Sequence, residues 1–399
     1  MTQYSVLRLL AAGFVDYLGA GLFLAFSAVY FTQAVGLTAG QVGLGLGVAG
    51  CLALVLATPL GRVADRVGVR RTLVVLHLVR AVGTASYVMV GEWWGFLAAV
   101  TAVTVADQAI AALTQAFVAE LADGERRGRV LAAYRTIANL GISVGGPLGG
   151  LIAAQNGTFR LVLLVNAGAY VLVALVLATI AQRPVRRERA ARGTAAVRDR
   201  RLLALASLDT VLQLWLPVLN LGFPLWLASG GHIPRAWIGP LYAVDTVICV
   251  LLQLPAARLV GTVAAARRGQ VAGGVLLSAS CLVFWAAPYA AQAAVALFAL
   301  AVVLLALGEL LTVPAAWTLS YAIAPDDRRA EYLAAFGMGR SFGRYVLGPV
   351  LVTALLQSAG GLAWAVLAAL FALAAAATPL AARHVATAFE RVSQSGSRS

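Results

Sequence analysis

The sequence predicts an all-α membrane protein with twelve transmembrane helices in two pseudo-symmetric six-helix bundles. Three observations predict it. The 399 residues are 61% hydrophobic and only 12% charged, against roughly a quarter charged in an ordinary soluble domain, so a soluble fold has nowhere to hide the apolar surface. Apolar stretches of about 20 residues, enough to cross a hydrocarbon core, recur along the chain. The segment that begins at Glu125, ERRGRVLAAY, returns at Asp327 as DRRAEYLAAF, and at the same offset Gly146-Pro147 returns as Gly348-Pro349.

The expected spans are residues 9–33, 41–60, 72–91, 95–118, 130–154, 159–181, 202–227, 237–259, 270–288, 291–316, 333–356 and 362–382. Arg8 and the apolar run behind it read as a first helix and not as a cleaved leader, because no small-residue cleavage pattern follows. All 30 basic residues are arginine. Nearly all are assigned to loops and tails expected on one side, while the outer loops carry only Arg160 and Arg235, and Arg80 is the expected deeply placed cation. The chain is therefore expected to be multi-pass in the plasma (inner) membrane with both termini cytoplasmic.

The net charge of +14 is then topological information, and no nucleic-acid partner is expected. The basic loops suit contact with anionic lipid heads. Residues 182–201, QRPVRRERAARGTAAVRDRR, are polar and Arg-rich. They divide the chain into an N-terminal bundle over 1–181 and a C-terminal bundle over 202–382, with a cytoplasmic tail over 383–399.

Cys51, Cys249 and Cys281 lie in apolar segments with neither paired nor metal-ligand spacing, and His77, His232 and His384 are scattered singly. Packing, lipid contact or loop is the expected place of each, with no metal site, cofactor or catalytic triad. Gly45, Gly47 and Gly50 satisfy a G-x-G-x-x-G pattern, but no strand-to-helix turn surrounds them. Small residues there suit close helix contact in lipid instead.

The loop expected between spans 2 and 3 reads GRVADRVGVRR over Gly61–Arg71. Gly61 and Gly68 permit a tight reversal, Arg62, Arg66, Arg70 and Arg71 hold it on the cytoplasmic side, and Asp65 is a lone acid placed to meet an arginine or a helix N-terminus. This island closely resembles the signature of the major facilitator superfamily, whose twelve-helix drug/proton antiporters the chain resembles over nearly its whole length. The resemblance implies a gating latch at Asp65 and a central cavity lined by spans 1, 4, 7 and 10. Span 8 leads into Pro255, Arg258, Arg267 and Arg268, a degraded second copy without the acid.

Span 5 carries GISVGGPLGG, with Gly141, Gly145, Gly146, Pro147, Gly149 and Gly150. It resembles the glycine-proline motif that the family associates with exporters working against protons. It departs from that motif in having one residue, Leu148, between Gly-Pro and Gly-Gly where two are usual. Pro147 removes a backbone hydrogen bond and the glycines permit close approach, so the segment can bend or slide against a neighbour.

Charged groups inside a bilayer are costly and are functional candidates by default. Asp16, Asp107, Asp209, Asp245 and Glu309 fall in spans 1, 4, 7, 8 and 10, so each span that the resemblance assigns to the cavity carries one acid. Glu309 follows Asp107 by the repeat offset, which predicts equivalent depths. Asp16 and Asp209 each follow an arginine, Arg8 and Arg201, by eight residues. Polar stripes at helical spacing extend these faces: Gln213 and Asn220 beyond Asp209, Tyr242, Cys249 and Gln253 around Asp245, and Thr101, Thr104, Gln108 and Gln115 along span 4. Phe23, Trp215, Phe223 and Trp317 are available as aromatic surface for a substrate or as packing.

These residues lead to the expectation of a secondary transporter and not an enzyme. It would couple protons to the efflux of small amphiphilic or cationic compounds by alternating access, as a monomer. Arg80 is placed either to pair with Asp16 or Asp107 or to snorkel towards the cytoplasmic surface. A proton-linked importer or facilitator of a metabolite is the alternative within the class, and a non-transporting membrane receptor the alternative outside it.

Overall fold

A computed structural model of the protein describes residues 3–122, 124–153, 159–180, 196–230, 233–325 and 328–381. Most of the 182–201 linker, the 383–399 tail, His232, His384 and Asp327 lie outside the described residues. Among the described residues the chain is helical with no strand.

In chain order the helices are α1 (Gln3–Val29, extended by a π turn Tyr30–Ala34), α2 (Ala39–Val67), α3 (Val69–Ser86), α4 (Trp93–Leu121), α5 (Gly124–Ala153) and α6 (Phe159–Ala178). Next comes α7, broken into Arg200–Leu212, Trp215–Pro217, a π turn Val218–Gly222 and Phe223–Gly230. Then follow α8 (Ile238–Leu259), α9 (Val263–Ala286) and α10 (Ala294–Ile323). The last two are α11, made of Arg329–Phe342, a π turn Gly343–Leu347 and Gly348–Ala359, and α12 (Leu362–Ala381).

Ten helices among the described residues are long and apolar enough to cross a membrane. The other two expected spans fall on α5 and α11. The exposed side chains fit a hydrocarbon surrounding: Leu251, Leu254, Leu259, Val82 and Leu373 all point outward.

The chain divides into two compact units, Met1–Arg189 with Leu227–Ala243, and Ala190–Trp226 with Val244–Ser399. In the first, α1 packs along α5, α2 along α4, and α3 against both α4 and α6. Two apolar clusters fill it. One centres on Leu73, Leu113, Phe117 and Leu177, the other on Phe31, Tyr87, Phe96 and Leu163. In the second unit α9 packs against α10 and α12. A Cβ on Gly273 would lie 2.8 Å from the Gly308 carbonyl, and one on Gly274 would lie 2.7 Å from Ala375, so bare glycine faces set these spacings. Phe223, one of the aromatic candidates, is fully buried between Phe284 and Phe298 and is core.

Helix starts are capped by side chains where the chain turns. Thr38 accepts from the Gln41 N–H at 3.1 Å while the Gln41 side chain accepts from the Thr38 N–H at 2.9 Å, a reciprocal box that satisfies two orphan donors of α2. Asp199 does the same job for α7, accepting from the Arg201 N–H at 2.8 Å.

Candidate functional site

The intramembrane acids gather into three clusters, and each sits within one unit. In the first, the Arg80 guanidinium on α3 bridges Asp16 on α1 and Asp107 on α4, forming ion pairs with both. Arg80 is 6% exposed and its Cζ lies 3.9 Å from the centre of the Tyr170 ring of α6. Four helices thus meet on one cation, with carboxylates on two sides and a π face on a third. The snorkelling alternative for Arg80 does not occur.

His77, one turn before Arg80, belongs to the same cluster. Its Nδ1 is 2.8 Å from the Leu73 carbonyl, which can only accept, so Nδ1 carries the proton. Its Nε2 then faces Asp16 Oδ2 at 3.9 Å. The expectation of a packing role for each scattered histidine missed this, because the helical spacing of His77 to Arg80 was legible but the approach of α1 was not.

The second cluster surrounds Asp209 on α7, which is fully buried. Arg340 on α11 donates from Nε to Oδ2 at 3.1 Å and from Nη2 to Oδ1 at 3.3 Å, a two-point fork. Gln213 Nε2 donates to Oδ1 at 3.0 Å. Arg344 Nε in turn donates to Gln213 Oε1 at 2.7 Å. The two guanidiniums lie over Trp317 and Trp215, at 4.8 and 5.4 Å. These tryptophans, expected as possible substrate surface, are arginine platforms here.

Arg80 is therefore not alone inside a span. Arg340 and Arg344 stand in α11 as well, Arg340 meeting a carboxylate and a ring and Arg344 an amide oxygen and a ring. Two π turns adjoin the network, Val218–Gly222 after its α7 members and Gly343–Leu347 of α11, which contains Arg344, a local widening that recurs at functional positions in helices.

The third cluster has no arginine in it. Asp245 and Cys249, one turn apart on α8, meet Glu309 of α10. The Cys249 thiol donates to Glu309 Oε1 at 3.3 Å, and one donor atom from each residue lies within 4.8 Å of the others. Asp245 is 7% exposed. Its Oδ1 and the Oε2 of Glu309 have no hydrogen-bond partner. Arg344, whose charge reaches Glu309, is already committed to Gln213. The absence of metal-ligand spacing in the sequence is thus no guide to what the fold assembles, because the donors come from two helices.

Asp107 and Glu309 both fall near the middle of their helices, of 29 and 30 residues. Their surroundings differ: Asp107 faces a guanidinium, Glu309 a thiol and a second acid.

Comparison with known proteins gives the frame for these clusters. A family model described as the Major Facilitator Superfamily matches residues 9–344. The chain belongs to that superfamily. A search of curated proteins returns no match. Among solved structures, a variant of the nucleoside transporter NupG superposes with a TM-score of 0.80 at 14% identity, covering 94% of this chain and 99% of that one. The POT family transporter PepTSo gives 0.76 at 13% identity, covering 97% and 99%. A D-xylose-proton symporter gives 0.73 at 17% identity, covering 94% and 97%. As a facilitator-superfamily member the protein is a secondary transporter with a small-molecule substrate, and not an enzyme.

The superfamily signature loop takes a tighter form in this facilitator than the sequence suggests. Residues 61–67 continue α2, and the reversal falls on Gly68 alone, with φ 103° and ψ 137°. Gly61 lies inside α2, so it is not a turn residue. Only Gly68 needs the conformational freedom of glycine. Its carbonyl accepts from the Thr72 hydroxyl at 3.0 Å, starting α3. Arg70 Nη1 donates to the carbonyls of Ala178 and Ile180 at 3.2 and 2.8 Å, and Arg8 Nη1 reaches Thr179 at 3.4 Å. Two arginines thus satisfy the open carbonyls at the end of α6 and oppose its negative pole. Arg62, Asp65 and Arg66 lie on the exposed side of the last turns of α2, and Arg71 is exposed at the start of α3.

The glycine-proline segment lies on α5, and its glycines sort by face. A Cβ on Gly141, Gly145 or Gly149 would meet backbone of α1, at 2.9 Å from Phe14 O, 2.3 Å from Leu18 O and 2.1 Å from Leu22 O. Nothing lies within 4 Å of a Cβ on Gly146. Pro147 and Gly150 continue the helix. The second half repeats the device: Gly343, the repeat-offset partner of Gly141, places its Cβ position 2.4 Å from the Thr210 carbonyl of α7.

Proposed function

We propose that this transporter couples protons to the export of small cationic or amphiphilic compounds by alternating access. The proton is held by the Asp16–Arg80–Asp107 cluster, and cationic cargo is drawn to Asp245 and Glu309. The observation that carries the reading is that one guanidinium serves two carboxylates. An excess negative charge inside hydrocarbon is costly, and one proton removes it. Asp107 is the more open of the two acids, its side chain 40% exposed against 6% for Asp16. His77 faces the same cluster, as do Tyr170, Tyr87 and Tyr134.

Cation preference is supported by the third cluster, the one place where intramembrane acids lack an ion pair among the described residues. Export is supported by the resemblance of the α5 segment to the exporter motif. The D-xylose-proton symporter of similar fold supports proton coupling on this architecture. Arginine placement supports two bundles, 1–181 and 202–382, in the plasma membrane with both termini cytoplasmic.

The test follows ethidium, a fluorescent organic cation, together with protons in liposomes holding the purified protein. A pH gradient is expected to drive ethidium uphill with protons moving the other way, and inverted membrane vesicles to accumulate ethidium when their lumen is acidic. Asp107→Asn is expected to lose the pH-driven accumulation while keeping ethidium exchange. Protons moving with the cargo, or wild-type flux indifferent to the gradient, would overturn the antiport reading.

A further inference from the structure

We propose that Asp245, Cys249 and Glu309 form a binding site for a thiophilic divalent metal ion of the zinc class. The proposal rests on the reading of Asp245 and Glu309 as the cation-accepting pair and adds the thiol between them. Three donors of the kinds zinc takes, a sulfur and two carboxylates, lie within 4.8 Å of one another on two helices. Tetrahedral zinc holds sulfur at about 2.3 Å and oxygen at about 2.0–2.2 Å. The 3.3 Å between Cys249 Sγ and Glu309 Oε1 is already a separation that two ligands of one such ion can have, and only Asp245 needs a rotamer-scale approach.

The second observation is independent of the clustering. Asp245 is 7% exposed, yet its Oδ1 has no hydrogen-bond partner, and Glu309 Oε2 has none either. Buried acceptors are paired in nearly all native structures. Both orphaned oxygens belong to the cluster itself, so one cation between them would satisfy both.

Sulfur decides the class of ion. Magnesium and calcium take six or more oxygens and gain nothing from a thiol, whereas zinc, cadmium and cobalt bind thiolate readily. On binding, the metal replaces the proton on Sγ, the proton leaves to water, and no electron is transferred. Arg344, whose charge reaches Glu309, offsets part of the negative charge that three anionic ligands leave on a divalent ion.

The full-length protein in lipid nanodiscs, with Cys51→Ser and Cys281→Ser so that Cys249 is the single thiol, is titrated with cadmium. A thiolate-to-cadmium charge-transfer band that saturates at one ion per chain is expected. Asp245→Asn and Glu309→Gln should each weaken the ion's affinity by about tenfold or more. Because Cys249→Ser can disturb folding, protection is measured as well: zinc is expected to shield Cys249 from alkylation by a maleimide, and magnesium is not. Absence of the band at saturating cadmium, a band that survives Cys249→Ser, or equal protection by magnesium overturns the site. Neither readout uses cargo or proton flux. An intact band beside failed proton exchange would therefore sink the transport reading and leave the metal site standing.

Discussion

Arg340 holds Asp209 by a two-point fork from α11, whereas Asp16, which stands eight residues after its own leading arginine just as Asp209 does, is held by Arg80 from α3. The acid is kept in both halves and the counter-ion comes from a different helix in each. The constrained element is thus the carboxylate on the first helix of the half. Once it is buried, any neighbour that can present a guanidinium will neutralise it.

Removing Arg340 should therefore unfold more than removing the pair. Arg340→Met leaves Asp209 charged and buried, with an expected loss of about 3–5 kcal/mol. Asp209→Leu combined with Arg340→Met should recover most of that loss. Thermal unfolding of the four purified proteins of the cycle measures it, and equal losses for the single and double variants would show that packing by the long Arg340 side chain matters more than its charge.

The α5 glycines should separate by face. Gly145→Ala and Gly149→Ala each drive a methyl against an α1 carbonyl at 2.3 and 2.1 Å, and overpacking of this kind costs about 1–3 kcal/mol. Gly146→Ala meets nothing within 4 Å and should fold like wild type. Melting temperatures in detergent read the contrast. Any transport defect in the stable Gly146→Ala protein then belongs to conformational exchange rather than to folding.

What the sequence disclosed follows from which physical signals are local. Bilayer-length apolar runs are local, so each expected span falls on a helix, although some helix ends lie up to seven residues from the expected ones. Arg80 was legible as a candidate partner of Asp16 or Asp107, being an arginine at membrane depth. Arg340 and Arg344 also stand inside the expected span 333–356, but they continue the basic approach of Arg328 and Arg329, which hid one buried and one half-buried arginine among loop residues. Gly61 and Gly68 look alike in a basic loop, and only the backbone distinguishes a helical glycine from one at φ 103°. The grouping of Cys249 with Glu309 depends on the contact of α8 with α10, which no spacing along one helix can encode.

Asp65→Asn should leave the thermal stability of the protein unchanged, since the residue lies on the exposed side of α2 and surface substitutions are usually within about 0.5 kcal/mol. Its turnover should fall, because the role proposed for the acid is to hold one gating state. Ethidium flux at equal protein density in liposomes checks this. Wild-type turnover would reduce the loop to a topological signal.

The charge balance of the first cluster makes the most specific prediction. Arg80 sets one positive charge against the two negative charges of Asp16 and Asp107, leaving room for one proton. Arg80→Gln removes the positive charge, so two protons are needed for neutrality and the proton cycle should stop. Adding Asp16→Asn to Arg80→Gln restores an excess of a single negative charge, now on Asp107 alone, and should recover part of the proton-driven ethidium flux. Asp16→Asn by itself leaves Arg80 balanced by Asp107, with no excess charge, and should uncouple transport while the protein stays folded. The three variants are compared with wild type by proton and ethidium flux in the same liposomes, with melting temperatures as a folding control. A folded double variant no more active than Arg80→Gln would show that the geometry of the guanidinium, bridging three helices and stacked on Tyr170, is required for turnover and that charge count is not sufficient.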